Sequence, residues 1–234
     1  MEDKGVSLNK FISSTGFCSR READQWIDQG RVSINGNKAK KGNRVFTNDK
    51  VTLDGKVIQK KVEDIYIKYN KPPGVTCTTD LRDRSNIIDR IDIDERVFPI
   101  GRLDKSSTGL ILLTNNGDIV NKILRKENRH EKEYVVKVNK PITDAFLKRM
   151  SRPIPMLGTR TLPCKVRKIK NDVFKIILTQ GLNRQIRRMC EFCDYGVVSL
   201  KRVRVMHINL GELKSGAWDH LSKDELDVLL KRIK

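Results

Sequence analysis

One carboxylate near the middle of this chain lies between two cations and just before a strongly apolar stretch. Asp104 is preceded by Arg102 and followed by Lys105, and the run 110–113 is entirely apolar. Such a run predicts a buried strand, which can hold a chemical group rigidly against a substrate. A surface turn with exposed ion pairs explains these few residues more simply, because such pairs are common and weak. Asp104 is therefore a candidate reactive group whose role depends on the rest of the chain.

A second segment with side chains suited to chemistry lies over residues 179–189. Gly181 is predicted to turn the chain after a strand, and Asn183 is predicted to cap a helix. The first turns of that helix contain three arginines: Arg184, Arg187 and Arg188. Cations fixed at the start of a helix are suited to binding an anion, although a solvated basic helix face is the plainer interpretation.

A single aromatic residue marks a third segment. Tyr134 stands near the start of the predicted strand 132–138. An aromatic residue in such a position is more often a half-buried strand residue than an active-site group. The residue type alone therefore does not assign Tyr134 to a site.

The charge balance favours a polyanionic partner. The 234 residues include 48 Lys and Arg against 29 Asp and Glu, a formal net charge of +19. Such an excess concentrates polyanions around a protein, and nucleic acid is the leading candidate. A membrane surface is the competing candidate, but no apolar run approaches the ~18 residues that a spanning helix needs, and the N-terminus lacks a signal-peptide core. We expect a cytoplasmic protein that does not bind membranes.

The cysteines and histidines do not predict a metal site. The five cysteines are odd in number and scattered, unlike a disulfide framework. Cys190 and Cys193 have the spacing of metal ligands, but they fall with Ile186 and Met189 on one apolar helix face, which favours core packing. The three histidines are isolated, and no GxGxxG or phosphate-binding loop occurs. We therefore expect neither a metal nor another cofactor.

The chain is predicted to divide near residue 62, so that a first domain occupies residues 1–62. Helix caps and tight turns predict its elements: helices over 7–16 and 19–29, a capping box at Ser19 and Glu22, and hairpins at Asn35-Gly36 and Asp54-Gly55. The pair Lys60-Lys61 begins a polar link to the next domain.

Residues 63–234 are predicted to form an α+β domain with a mostly antiparallel, mixed central sheet flanked by helices. The predicted strands are 65–69, 109–113, 132–138, 173–179 and 201–208. The predicted helices follow caps at Asn116 and Asn183, span 141–150, and begin at a last capping box, Ser222 with Glu225.

The string from Gly101 to Asn115 resembles the catalytic signature of bacterial RNA pseudouridine synthases, in the RsuA/RluB/RluE/RluF group of ribosomal RNA enzymes. Two later segments, Lys132-Glu133-Tyr134 and Gln185-Ile186-Arg187, resemble the other two motifs of this family and occur in the same order. The resemblance implies isomerisation of uridine to pseudouridine, which needs no cofactor or metal. It also implies that Asp104 is the nucleophile, that Arg187 orients it, and that Tyr134 stacks on the base.

The same resemblance assigns roles around the predicted site. Arg102 would fill the gap left by an extruded uridine, and Leu178 would form the floor of the pocket. Further RNA contacts are expected from four residues: Lys71, Arg184, Gln185 and Arg188. The family's fold is a large mixed sheet with helices on its outer faces and a basic cleft across it, which agrees with the α+β prediction.

Residues 7–54 resemble the S4 RNA-binding module. The likeness rests on the segments that begin at Leu8, Cys18 and Gly30. It implies that four cations face RNA phosphate: Lys10, Arg20, Arg21 and Arg31. An ordinary solvated helix face is the alternative, although helix termini and clustered arginines bind phosphate readily.

The segments 121–128 and 130–134 look most like the RluF branch of the family. This favours a stem-loop of 23S ribosomal RNA as the substrate of a monomeric enzyme, with 16S ribosomal RNA or tRNA as alternatives. A non-catalytic ribosome-assembly protein could keep the same fold, but no motif residue is missing. A carboxylate glycosidase would need a second acid near Asp104, where the signature offers only cations.

Overall fold

The computed structural model describes residues 4–59 and 63–233. The predicted boundary near residue 62 and the predicted link at Lys60-Lys61 lie outside the described residues. The position of the boundary therefore stays a prediction.

The chain forms two compact units. The N-terminal unit runs to Asp64 and also includes Ile93–Arg96 and Asn115–Gly117, two segments that no sequence signal assigned to it. The C-terminal unit contains the rest of the chain.

Short elements make up the N-terminal unit. In chain order they are β1 (Val6–Ser7), α1 (Leu8–Ser14), α2 (Arg20–Asp28), β2 (Val32–Ile34), β3 (Asn37–Lys38), β4 (Arg44–Val45), β5 (Val51–Leu53) and β6 (Lys56–Val57). Strands β3, β2, β5 and β6 form an antiparallel sheet in that order, and β1 pairs with β4.

Helix α2 begins and ends where its local signals predict. Ser19 Oγ accepts a hydrogen bond from Glu22 N, and the Glu22 carboxylate accepts one from Ser19 N, so the predicted capping box is confirmed. Hydrogen bonding of the carboxylate to the side chain and main chain of Ser19 lowers the pKa of Glu22. Ala23 and Ile27 are buried in the core of the unit. Gly30 follows the helix with φ +71°, a conformation that glycine adopts without strain.

Both predicted hairpins have the backbone that their turn residues require. The angle φ is +51° at Asn35 and +82° at Gly36, and it is +48° at Asp54 and +77° at Gly55. Two successive positive φ angles form a turn whose twist matches that of the flanking strands. The two hairpin predictions are confirmed.

The C-terminal unit contains the remaining elements. In chain order they are β7 (Tyr66–Lys71), β8 (Phe98–Ile100), β9 (Thr108–Thr114), α3 (Asp118–Leu124), β10 (Lys132–Val138), α4 (Asp144–Met150), β11 (Pro155–Met156), β12 (Thr159–Arg160), β13 (Lys165–Lys170), β14 (Val173–Leu178), α5 (Gln185–Phe192), β15 (Val197–Val205), β16 (Ile208–Asn209), β17 (Trp218–His220) and α6 (Lys223–Arg232). None of the helices in the described part of the chain is long and apolar enough to cross a membrane.

A nine-stranded sheet forms the centre of the C-terminal unit. Seven strands follow the order β13-β14-β10-β15-β9-β7-β17, while β8 pairs with β9 and β16 pairs with β15. Among the described strands of this sheet, β15 and β9 are parallel and all other neighbours are antiparallel. The predicted α+β fold with a mostly antiparallel, mixed sheet is confirmed.

Glycine is required at the start of β9. Gly109 pairs with Arg202 of β15, and its φ is +99°. A Cβ atom at position 109 would lie only 2.2 Å from the main-chain oxygen of Arg202. The strand after Asp104 can therefore approach β15 only because this residue has no side chain.

Helices α3 and α6 share one apolar core. Ile119 and Ile123 of α3 lie in the same buried cluster as Leu229 of α6 and Ile233, which follows it. The capping box of Ser222 and Glu225 is confirmed at the start of α6. The apolar faces of both helices therefore pack into the same core.

Two elements begin three or more residues away from their predicted first residues. Helix α4 begins at Asp144 rather than at residue 141, because Thr143 Oγ1 accepts a hydrogen bond from Phe146 N (3.2 Å) and caps the helix there. Strand β15 begins at Val197 rather than at residue 201, because its first residues pair with the end of β10.

Candidate active site

Asp104 lies in the turn that connects β8 to β9. Ser107 N donates to the carbonyl oxygen of Asp104 (2.9 Å) and closes the turn. Just before it, Leu103 N donates to Sγ of the buried Cys77 (3.3 Å). The main chain is thus fixed on both sides of the Asp104 carboxylate, which itself stays partly exposed.

Two arginines approach this carboxylate. Oδ2 of Asp104 lies 3.5 Å from Arg187 Nε and 3.7 Å from Arg184 Nη1. The fold therefore brings the predicted nucleophile and its predicted orienting residue together from segments far apart in sequence. Both distances exceed the about 2.7–2.9 Å of a charge-assisted hydrogen bond, and such bonds often tighten only when substrate binds.

The signature itself holds Arg187 in place. Arg187 Nη2 donates to the hydroxyls of Ser106 (3.2 Å) and Ser107 (3.3 Å). Its Nε is buried and makes no hydrogen bond to any described residue. One donor of the guanidinium is therefore left for Asp104. The sequence analysis assigned the two serines no role, although their place in the signature was the signal that could have identified them.

A pocket of about 120 Å³ opens beside this ion pair. Its lining includes seven candidate residues: Arg102, Asp104, Tyr134, Leu178, Arg184, Gln185 and Arg187. Side chains that were selected from three separate segments thus surround one cavity.

The pairing of β10 with β14 explains how Tyr134 and Leu178 meet. Tyr134 pairs with Ile176, and Lys132 pairs with Leu178. Alternate residues of a strand point to the same face, so Tyr134 and Leu178 are diagonal neighbours on one face of the sheet. Tyr134 is 9% exposed, so one part of its ring is available to the pocket.

The start of α5 differs from the prediction that Asn183 caps it. Arg184 occupies the cap position with φ +49° and makes no side-chain cap hydrogen bond. Asn183 instead accepts two hydrogen bonds from Arg188, one on its carbonyl oxygen (3.2 Å) and one on Oδ1 (3.3 Å). The left-handed backbone at Arg184 is unfavourable for a residue with a side chain, and such conformations concentrate at functional sites.

Lys71 is not placed to contact RNA, which corrects the prediction. Its side chain is fully buried. Nζ donates to the carbonyl oxygens of Pro72 and Val75 (both 2.9 Å) and of Lys105 (3.2 Å). Burial lowers the pKa of Lys71. The ammonium group connects the turn after β7 to the Asp104 turn, so its role is to position the main chain.

Gln185 is buried in the wall of the candidate active-site pocket, and its contact with RNA stays a prediction. It is 4% exposed. Its Oε1 accepts a hydrogen bond from Leu182 N (3.1 Å), and its Nε2 donates to Gln180 Oε1 (3.4 Å). The amide is therefore occupied in fixing the turn between β14 and α5.

Three of the predicted RNA-binding cations of the N-terminal unit lie on its two helices. Arg20 and Arg21 are exposed in the first turn of α2, and Lys10 is half-buried in α1. Arg20 Nη2 donates to Asn9 Oδ1 (3.3 Å), while Asn9 Nδ2 donates to Asp24 (3.0 Å). These cations stay candidate phosphate contacts.

The charge of Arg31, the fourth predicted cation of this unit, is already paired. Nε and Nη2 donate to the two carboxylate oxygens of Asp54 at 3.0 and 2.6 Å. The guanidinium also lies over the ring of Trp26. An RNA phosphate would have to compete with Asp54 for this side chain.

Two buried cations beside Tyr134 were missed by the sequence analysis. Lys132 is 8% exposed and Arg202, which pairs with Tyr134, is 3% exposed. Lys132 Nζ donates to the His130 carbonyl (3.4 Å), and Arg202 Nε donates to the Leu110 carbonyl (2.6 Å). Burial and the charge of Arg202 lower the pKa of Lys132 to about 8. Alternation along a strand treats both residues as polar, so it could not identify them as interior.

The described part of the chain contains no cluster of three or more His, Cys, Asp or Glu side chains that could hold a metal ion. Burial raises the pKa of the Cys190 thiol to about 12, and burial also raises the pKa of Cys193. Thiols with raised pKa values are poor ligands at neutral pH, since a metal binds the thiolate.

Family models match most of the chain. Residues 65–192 match the family described as RNA pseudouridylate synthase, and residues 6–51 match the S4 domain. The chain is 52% identical over 235 residues to the dual-specificity RNA pseudouridine synthase RluF of Escherichia coli strain K12, which covers 100% of the chain and 81% of that protein. It is 32% identical to the ribosomal large subunit pseudouridine synthase B of Bacillus subtilis, with 94% of the chain and 93% of the relative covered.

One solved structure agrees with the fold over nearly the whole length. A crystal structure of a pseudouridylate synthase superimposes with a TM-score of 0.71 and 27% sequence identity, covering 96% of this chain and 99% of that one.

Proposed function

The chain belongs to the RNA pseudouridylate synthase family and has an N-terminal S4 domain, and on this basis we propose that it isomerises uridine in ribosomal RNA with Asp104 as the nucleophile. The observation that carries the proposal is the position of the Asp104 carboxylate, beside Arg187 and Arg184 at the edge of the pocket. A carboxylate serves as a nucleophile when it is ionised and aimed, and neighbouring guanidinium groups favour both conditions.

The reaction is redox-neutral. The N1–C1′ bond of uridine breaks, the uracil turns, a C5–C1′ bond forms, and the proton on C5 is lost while N1 gains one. Asp104 either forms a temporary bond to an electrophilic carbon, C1′ or C6, or accepts a ribose proton in a glycal route, and it is regenerated at the end. The proposal covers all three routes.

Three other pocket residues bind the flipped base or the RNA around it. Tyr134 stacks on the flipped uracil and helps to remove the C5 proton, while Leu178 forms the apolar floor. Arg102 occupies the gap left in the RNA, because extruding a stacked base costs a few kcal/mol. The pocket already contains residues from all three motif segments, and we propose that the enzyme acts as a monomer.

The proposed substrate is a stem-loop of 23S ribosomal RNA. Relatives with 32% identity are named as large-subunit synthases, which supports 23S over 16S ribosomal RNA. Relatives with 51–52% identity are named dual-specificity enzymes, so a second RNA substrate such as tRNA is part of the proposal.

Mapping of pseudouridines tests both the reaction and the target. Total ribosomal RNA and tRNA would be compared between cells with the gene, cells without it, and cells that carry only the Asp104→Asn variant. We expect one or more 23S positions to lose pseudouridine without the gene and to stay unmodified with the variant. Asp224→Asn, an exposed carboxylate in the first turn of α6, is the matched control and should restore modification. Restoration by Asp104→Asn would contradict the nucleophile assignment, and loss only in 16S would contradict the target.

A further inference from the structure

A second and larger pocket lies in the C-terminal unit, between the end of α3 and the end of α6. Its volume is about 610 Å³. We call it the α3–α6 pocket, and its charged lining consists of Asp118, Lys122, Arg125 and Arg232, together with His130. The proposed reaction uses none of these residues.

The α3–α6 pocket is strongly cationic. Its lining contains three cations, Lys122, Arg125 and Arg232, and one carboxylate, that of Asp118. Within the residues that the structure describes, none of these three cations makes an ion pair or a side-chain hydrogen bond. Some cations elsewhere in the unit are paired, as Lys68 is with Glu225. An excess of unpaired positive charge in a concave site is suited to an anion.

The pKa of His130, in the wall of the pocket, is lowered by burial and by nearby positive charge. Desolvation and the charge of Lys132 lower the pKa of His130, and Arg232 acts in the same direction. The main-chain hydrogen bond with Lys122 opposes them only in part. An anion that bound here would reverse the electrostatic part of this shift.

The walls of the pocket are held in place. Ile123 of α3 and Ile233, which follows α6, belong to one buried core. The Asn128 amide donates to the Lys122 carbonyl at the end of α3.

A simpler explanation exists for two of the pocket cations. Cations at helix C-termini interact favourably with the helix dipole, and this alone would account for Lys122 and Arg232. That explanation predicts an effect on stability and none on RNA binding.

The pocket lies close to the candidate active site along the chain. A Cβ atom at Gly101, next to Arg102, would be 3.0 Å from Cδ2 of Leu124, the last residue of α3. His130 precedes Tyr134 by four residues, so their Cα atoms are at most about 14 Å apart. A nucleic acid strand that enters the active site can therefore pass this pocket.

We infer that the α3–α6 pocket binds a backbone phosphate of the substrate RNA, a few nucleotides from the target uridine, and so helps to select the target. The inference rests on the proposed function, since it takes the RNA in the active site as the source of the phosphate. The segments that look most like the RluF branch supply most of the pocket lining. Lys122, Arg125 and Arg232 bind the phosphate, and His130 lies at its edge.

The first test measures RNA binding and turnover with a matched pair of triple variants. K122Q/R125Q/R232Q removes the pocket cations, and K148Q/K223Q/K231Q removes three exposed helical lysines outside the pocket. The affinity of the full-length chain for the substrate stem-loop would be measured across a salt series, together with kcat, KM and the unfolding midpoint.

The pocket variant should bind on the order of three- to tenfold more weakly, with a log–log salt slope lower by about 0.7–0.9. Its KM should rise while kcat and the unfolding midpoint match the control. Equal affinities and slopes for the two variants would overturn the inference, as would a loss confined to stability. If the parent chain itself fails to isomerise the RNA, the proposed function fails instead, and the two failures are therefore distinct.

The second test observes the pocket directly. The pKa of His130 would be measured by NMR in the Asp104→Asn chain, with and without the stem-loop, and His130→Gln would assign the signal among the three histidines. Bound phosphate should raise the pKa of His130, and K122Q/R125Q/R232Q should abolish the rise. An unchanged pKa at saturating RNA would show that no phosphate enters the pocket.

Discussion

Charged side chains are held in two opposite ways within the C-terminal unit. At the edge of the active-site pocket, the partly exposed Asp104 carboxylate lies within 4 Å of two arginines. In the interior, Lys71 and Lys132 are buried and bind main-chain carbonyls, and no described carboxylate pairs with either. The exposed charges can change partners when a substrate arrives. The buried ones hold the backbone, so their removal should affect folding before it affects chemistry.

The largest expected effect concerns the two arginines at the pocket. Arg187→Lys keeps the charge but loses the planar fork that contacts Ser106, Ser107 and Asp104 together. We expect kcat/KM to fall by about 10²–10³-fold with little change in RNA affinity. Arg184→Lys is the matched control, because its side chain is 49% exposed and makes only the longer contact. Similar losses in the two variants would show that Arg187 has no special orienting role.

The next effect should appear in stability rather than in chemistry. Lys71→Met leaves three carbonyl oxygens without their donor, so the free energy of unfolding should fall by about 2–4 kcal/mol. Lys105→Met, an exposed lysine of the Asp104 turn, should change it by less than about 0.5 kcal/mol. Urea unfolding of both variants checks this. A Lys71 variant that is as stable as the Lys105 variant would remove the distinction between interior and edge.

The pH dependence of the free energy of unfolding tests the same distinction at Lys132. Its pKa is lowered from 10.5 to about 8 in the folded chain, so between these values the unfolded chain binds more protons. The free energy of unfolding of the parent chain, measured relative to Lys132→Met, should therefore rise as the pH increases from about 8 to 10.5. The rise should be at most of order 3 kcal/mol. Urea unfolding at several pH values measures it, with the exposed Lys170→Met as control. A flat difference would show that the pKa of Lys132 is not lowered in the folded chain.

The smallest expected effect extends the comparison to the N-terminal unit, whose helical cations lie at the surface. A chain that begins at residue 63 should keep some activity on a short stem-loop but bind about tenfold more weakly. Its salt slope should fall by about 0.9 or slightly less for each lost phosphate contact. Full-length R20Q/R21Q should show part of the same loss, because both arginines are exposed in the first turn of α2. An unchanged slope in both would show that this unit does not contact RNA phosphate.

Local signals predicted local structure well. The capping boxes at Ser19 and Ser222 and the hairpin at Asn35-Gly36 depend on interactions within a few residues, so their residue types suffice to predict them. The same reasoning failed at Asn183, where the competing donor is Arg188 and the cap position is taken by a left-handed Arg184. A cap prediction cannot include a partner one helical turn further on.

The sequence by itself determined the order of the elements, the family and the residue types available for chemistry, because motifs and periodicity are properties of neighbouring residues. Tertiary structure alone decided what each charged residue does. Lys71 and Arg184 were predicted alike as RNA contacts, yet one is fully buried on three carbonyls and the other lies 3.7 Å from the Asp104 carboxylate. The physical reason is that burial and ion pairing depend on segments that are distant in sequence, which the strand order β10-β15-β9 brings together.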